Sequence, residues 1–138
     1  MKKFESTIRW LKSVLPERYA KEIKDYWCWP QLGRYYREHD VPKEITEPIV
    51  RAIRKSGNAR VCYKYCLHIE DREDLVDVIR QSGDALICFL YCRDIENRKD
   101  LVESIRKSGD ADICYQYCRH VEDREDLREI AKQEGYEI

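Results

Sequence analysis

Glycine and proline are scarce in this chain, five and four in 138 residues, and phenylalanine (two) and methionine (one) are scarcer still. So little Gly and Pro excludes a collagen-like, linker-rich or low-complexity architecture. No apolar run approaches the ~18 residues that a membrane-crossing helix needs. Neither sign of charge is in excess: a formal net charge of -1 gives no global pull toward nucleic acid or acidic lipid. The strings that carry catalysis in one stretch, H-E-x-x-H, Walker, G-x-G-x-x-G and G-x-S-x-G, are missing. No enzymatic activity and no cofactor are therefore expected. The opening MKKFESTIRWLKSVL has its apolar residues interrupted by Glu5, Arg9 and Lys12, which predicts no export signal. Seven cysteines, an odd number, then read as reduced thiols of a cytoplasmic protein rather than a disulfide framework.

What is present is a unit of 26 residues written three times: IRKSGNARVCYKYCLHIEDREDLVDV (53–78), IRQSGDALICFLYCRDIENRKDLVES (79–104) and IRKSGDADICYQYCRHVEDREDLREI (105–130). Twelve of the 26 columns are identical in all three copies. Such a period predicts a stacked array, each copy burying its apolar face against the next.

Each copy reads as two short helices. Ser-Gly-Asn at 56–58 and Ser-Gly-Asp at 82–84 and 108–110 supply a Gly to end one helix and an Asn or Asp N-cap to start the next. The first helix, A, covers about 59–69, with Cys62, Tyr65, Cys66 and Ile69 on one face. Asp71, Asn97 and Asp123 stand as N-caps of the second helix, B, with Asp74, Asp100 and Asp126 at the capping-box position. Leu75, Val78 and Ile79 form its inner stripe, recurring as Leu101 and Ile105.

The ends are treated differently. Arg128 and Ala131 replace the apolar Val76/Val102 and Ile79/Ile105 of earlier copies, and KQEGYEI makes a polar stop. Residues 1–52 read as an N-terminal helical cap: a stripe of Phe4, Ile8, Leu11 and Leu15, a break at Pro16, a helix over about 17–27, and a corner closed by Pro30. RYYREHDV (34–41) and PKEITEPIVRAIRKSG (42–57) follow as a degenerate repeat, with Pro42 and Pro48 near first turns. The expected fold is all-α: a right-handed αα superhelix, or solenoid, of three helical-hairpin repeats within 53–138, behind the cap, in one structural domain.

Units in which SGDA opens helix A and DREDL opens helix B resemble the HEAT-like and leucine-rich-repeat-variant superhelices. The likeness covers 53–130 well and 31–52 poorly. It implies a protein-binding role, with nucleic-acid binding in some members. One branch carries an iron-sulfur cluster in an N-terminal cysteine segment, which the single N-terminal Cys28 here does not reproduce.

The sharpest chemical pattern is C-x-x-x-C in every helix A: Cys62/Cys66, Cys88/Cys92 and Cys114/Cys118. One turn apart, both sulfurs share a face. Two readings stand: small apolar packing residues in the seam between helices, or thiolates able to take up Zn(II) or Cu(I) or to act in redox chemistry. Cys28, between Trp27 and Trp29, is expected to be a buried small residue. His68 and His120 follow Cys66 and Cys118 by two residues, which turns the side chains about 200° apart on a helix and leaves no imidazole to activate the thiol.

Candidate partner-binding residues are the columns that stacking would turn into ladders: Tyr63, Phe89 and Tyr115, and Arg54, Arg80 and Arg106. Each also has a structural alternative, as seam filling or as ion pairing with the box aspartates. Residues 1–56 hold 13 Lys/Arg against 8 Asp/Glu, and 57–138 hold 13 against 19. This puts a basic, aromatic head, with Trp29, Arg34 and Arg37 as further candidates, on an acidic array. The expected partner is a protein or an extended peptide, with nucleic acid at the head as the alternative, no membrane, and a monomeric or weakly head-to-tail associated chain.

Overall fold

The computed structural model describes residues 8–24 and 27–137, so Phe4 and Tyr26, together with the side chain of Trp10, lie outside the described residues. Among those described there are ten helices and no strand. The chain divides into two compact units, Met1–Val78 and Ile79–Ile138.

The first unit contains α1 (Ile8–Ser13), α2 (Glu17–Ala20), α3 (Trp29–Glu38), α4 (Lys43–Ser56) and α5 (Ala59–His68), and α6 (Glu73–Ser82) carries the chain onward. Of the stripe expected from the sequence, Ile8, Leu11 and Leu15 are buried, and Ile23 is buried as well. The helix expected over 17–27 is only the four residues of α2, held by 3.0 Å bonds from Tyr19 and Ala20 N–H to the Pro16 carbonyl. Pro30 does not close a corner. It lies in the first turn of α3, where its missing N–H costs nothing, so that helix spans 29–38 rather than 34–41. Pro48 sits inside α4, beyond the first turn expected for it.

Both α3 and α4 pack on α5. A Cβ at Gly33 would lie 2.1 Å from the His68 carbonyl oxygen, so only glycine lets α3 approach the end of α5 this closely. Arg37 Nη1 donates to that same carbonyl at 3.2 Å.

The second unit is built from α7 (Ala85–Asp94), α8 (Lys99–Ser108), α9 (Ala111–His120) and α10 (Glu125–Gln133). Each A helix packs on the B helix that follows it, α7 on α8 and α9 on α10. Like also lies against like, α7 on α9 and α8 on α10. Ile87, Cys88, Tyr91, Leu101, Ile105, Tyr117 and Leu127 lie at the centre of this unit's core, each 0% exposed. Burying each leucine or isoleucine contributes roughly 1.5–3 kcal/mol.

The Ser-Gly-Asx corner is built as its residues require. Gly57, Gly83 and Gly109 take φ of 67°, 69° and 68°, the left-handed region open to glycine. Asn58, Asp84 and Asp110 then accept from Val61, Ile87 and Ile113 N–H, each at 3.1 Å, capping helix A. The serine closes the other side: Ser82 Oγ donates to the Ile79 carbonyl at 2.6 Å and accepts from Asp84 N–H at 3.1 Å.

The second corner differs from expectation. The N-caps of α8 and α10 are Arg98 and Arg124, extended in backbone, and not Asn97 and Asp123. The guanidinium takes the space because it forks onto the aspartate two residues on, Arg98 Nε and Nη2 donating to Asp100 Oδ1 and Oδ2 at 3.0 and 2.9 Å. Asp100 Oδ1 accepts in turn from Leu101 N–H at 2.9 Å. Asn97 is released from capping and accepts from Tyr117 Oη instead. On the B helices the buried partner of Leu75 and Leu101 is Val76 or Val102, while Val78 is only half-buried. In the last copy Arg128 occupies that column, paired with Asp123.

Candidate functional site

The six repeat cysteines are all buried. Three Sγ atoms point at main-chain carbonyls: Cys66 at Arg72 and Cys92 at Arg98, both 3.9 Å, and Cys118 at Arg124, 3.6 Å. Cys88 Sγ points at the Ile79 carbonyl at 3.9 Å. Burial raises the Cys62, Cys66 and Cys88 thiols to about 12 and Cys114 to about 11. Metal ligation needs thiolates that converge. Four of these buried thiols are directed at backbone carbonyls, and no group of three or more His, Cys, Asp or Glu among the described residues is arranged to hold a metal ion.

Cys28 departs from the sequence reading: it is exposed. It stands at the N-cap of α3, where its side chain accepts from the helix's first-turn backbone while its own N–H donates to Gln31 Oε1 at 2.8 Å.

The aromatic column does not form an open ladder. Tyr63 and Phe89 are each 4% exposed, so both are packing residues rather than a contact surface. Tyr115 is half-buried, stacked on Tyr136 with ring centroids 4.9 Å apart and accepting from Arg119 Nη1 at 2.8 Å. Trp29, proposed at the head, is 7% exposed and belongs to the core. Arg34 and Arg37 are exposed. Arg34 lines a recess of about 220 Å³ with Trp27, Gln31, Tyr35, Glu38 and His39.

The arginine column is engaged in ion pairs. Arg54 Nη1 lies 4.0 Å from Asp74 Oδ2, Arg80 Nη1 lies 3.6 Å from Asp100 Oδ2, and Arg106 pairs with Glu103 on its own helix. Asp74 also accepts both fork bonds from Arg72 at 3.1 Å, and Arg72 Nη1 donates to Glu47 at 2.8 Å. Hydrogen bonding from Arg72, Arg98 and Arg124 is the main cause holding the Asp74, Asp100 and Asp126 carboxyls below the ordinary range. His68 is pushed down, first by burial and then by Lys64 and Arg37.

Within each unit the candidate residues are thus not gathered into one site. The side chains that do face solvent in the A helices lie elsewhere: Leu86, the large apolar residue most exposed among those described, at 41%, with Leu90 half-buried one turn on. Copy-to-copy substitution was the signal for them, since these columns change chemical class while their neighbours hold constant.

No protein-family model, no curated protein and no solved structure matches this chain.

Proposed function

We propose that this chain is a non-catalytic αα-repeat scaffold, of the HEAT-like or leucine-rich-repeat-variant kind, that binds another protein or an extended peptide along a helix-lined face. In this reading 53–78, 79–104 and 105–130 continue one another as a right-handed superhelix behind the cap of residues 1–52, in a cytoplasmic protein that is monomeric or weakly associated head to tail. The observation that carries it is like-on-like packing within 79–138, α7 on α9 and α8 on α10. Packing of that kind turns each outward column into a row of side chains at helix spacing, which is how repeat proteins build extended contact surfaces. The paired state of Arg54, Arg80 and Arg106 counts against these arginines serving as a phosphate track.

The test is reconstitution with partners recovered by crosslinking, followed by titration across salt. A saturable complex with a purified protein or peptide, only mildly weakened by salt, supports the reading. A nucleic-acid complex with a steep log–log salt slope, and no protein complex, would replace it.

A further inference from the structure

Two columns of the repeat change chemical class in every copy: 60/86/112 reads Arg, Leu, Asp, and 64/90/116 reads Lys, Leu, Gln. They are four residues apart on helix A and so share one face. That face is outward, with Leu86 and Asp112 exposed and Leu90 and Gln116 half-buried. The core columns of the same helices keep their class throughout, as Ala, Val or Ile, Cys, an aromatic residue, Tyr and Cys. Drift on a solvated face exchanges one polar residue for another. Here Leu86 is exposed, with Leu90 half-buried a turn on, and on the adjoining helix the same columns carry Asp112 and Gln116.

Beside Asp112 lies a recess of about 430 Å³, lined by Gly109, Asp110, Asp112, Glu134 and Tyr136 among others, with no Lys or Arg in its lining. The Asp110 side chain is occupied in capping α9, and the Tyr136 ring stacks on Tyr115 while its hydroxyl bonds to Asp112, so the charge left to meet a ligand is that of the Asp112 and Glu134 carboxylates. Carboxylates beside an aromatic face suit a cation and repel phosphate. Packed helices stand about 8–10 Å apart, the reach of about three residues of extended chain at roughly 3.3 Å each.

We infer that the outer face of α7 and α9 is a docking surface for an extended peptide segment bearing an apolar side chain and, about three residues along, a lysine or arginine. The apolar side chain covers Leu86 and Leu90, and the cation enters the recess at Asp112. This deepens the scaffold reading and rests on it.

Selection of a random dodecapeptide phage library on the full chain tests it, with enriched peptides then measured by fluorescence anisotropy. The expected peptides share the apolar and basic pair. Leu86→Asp weakens them by at least about tenfold, the loss expected of a central contact, and Asp112→Lys reselects peptides with an acid in the basic position. Both changes lie on the outer face, and unaltered helicity and melting check that the variants fold; Leu86→Gln serves if Leu86→Asp does not. Enriched peptides that bind both variants as well as the parent would overturn this surface and leave peptide binding standing. No enrichment at all would overturn both. A dimer seen by light scattering and dissolved by Leu86→Asp would give the face to a second copy and overturn the peptide assignment.

Discussion

Tyr65 and Tyr117 occupy the same invariant column of the repeat, yet their hydroxyls are placed differently. Tyr117 Oη donates to Asn97 Oδ1 at 2.7 Å, while the buried hydroxyls of Tyr65 and of Tyr36 on α3 have no partner. A buried polar group without a bond costs stability, and a satisfied one contributes about 1 kcal/mol. Tyr65→Phe is therefore expected to be neutral or stabilising, and Tyr117→Phe to destabilise by about 1 kcal/mol, both read from urea unfolding. The reverse order would contradict the assignment. The cysteines give a second expectation at this scale. At pH 8 an aromatic disulfide reagent should modify Cys28 quickly and the other six of the seven only slowly, until denaturant exposes them. The same burial links to pH. The Cys62, Cys66 and Cys88 thiols rise from the ordinary 9.0 to about 12, so the unfolded chain releases these protons before the folded one does. Their contribution is fully present below 9.0 and is lost as pH climbs toward about 12. Alkaline melting temperatures that stay flat across that window would contradict it.

Among the elements, the two corners of each copy show what a sequence discloses and what it conceals. The Ser-Gly-Asx corner was legible because every bond in it is local, with a glycine φ and an Asx cap three residues from its donor. The R-x-D corner is concealed because Asn97 and Asp123 have the residue type of an N-cap, whereas the helix starts one residue later, at an arginine whose side chain forks onto the aspartate two residues on. In α10 Arg124 donates to both oxygens of Asp126, at 3.2 and 3.0 Å, which leaves Asp123 to Arg128. The local corner supplies the sharper prediction. Asp84→Ala should cost about 1 kcal/mol of stability by loss of the cap on α7. Asp84→Asn should cost less than half of that, because Asn58 already fills the same role on α5 with the same 3.1 Å bond. Equal losses for the two variants, measured by thermal or urea unfolding, would mean that the charge at the helix start matters and the hydrogen bond does not.

For the whole molecule, the all-helical class and the Ser-Gly-Asx corners could be read because three copies state the same rules, so chance agreement at Gly57, Gly83 and Gly109 or at the six cysteines is small. The head states its rules once. The start of α3 at Trp29 is marked locally by Pro30 and the Cys28–Gln31 capping box, but its close seat on α5 rests on Gly33 against His68, a contact distant in sequence that no local pattern announces. Exposure at the edge of a helical face was equally hidden, since Tyr63 and Phe89 are covered while Tyr115 meets Tyr136 from the C-terminal segment. If the copies are interchangeable stacking units, stability is approximately a sum of repeat and neighbour contributions. Excising 79–104 joins Val78 to Ile105 and recreates the Val-Ile junction of Val78 with Ile79. The shortened chain is expected to remain helical and to unfold in one transition, with a lower midpoint and a urea slope reduced with the surface it buries. Loss of cooperative melting in that variant would show that the middle copy carries contacts the third cannot supply, and the repeat-scaffold reading would fall with it.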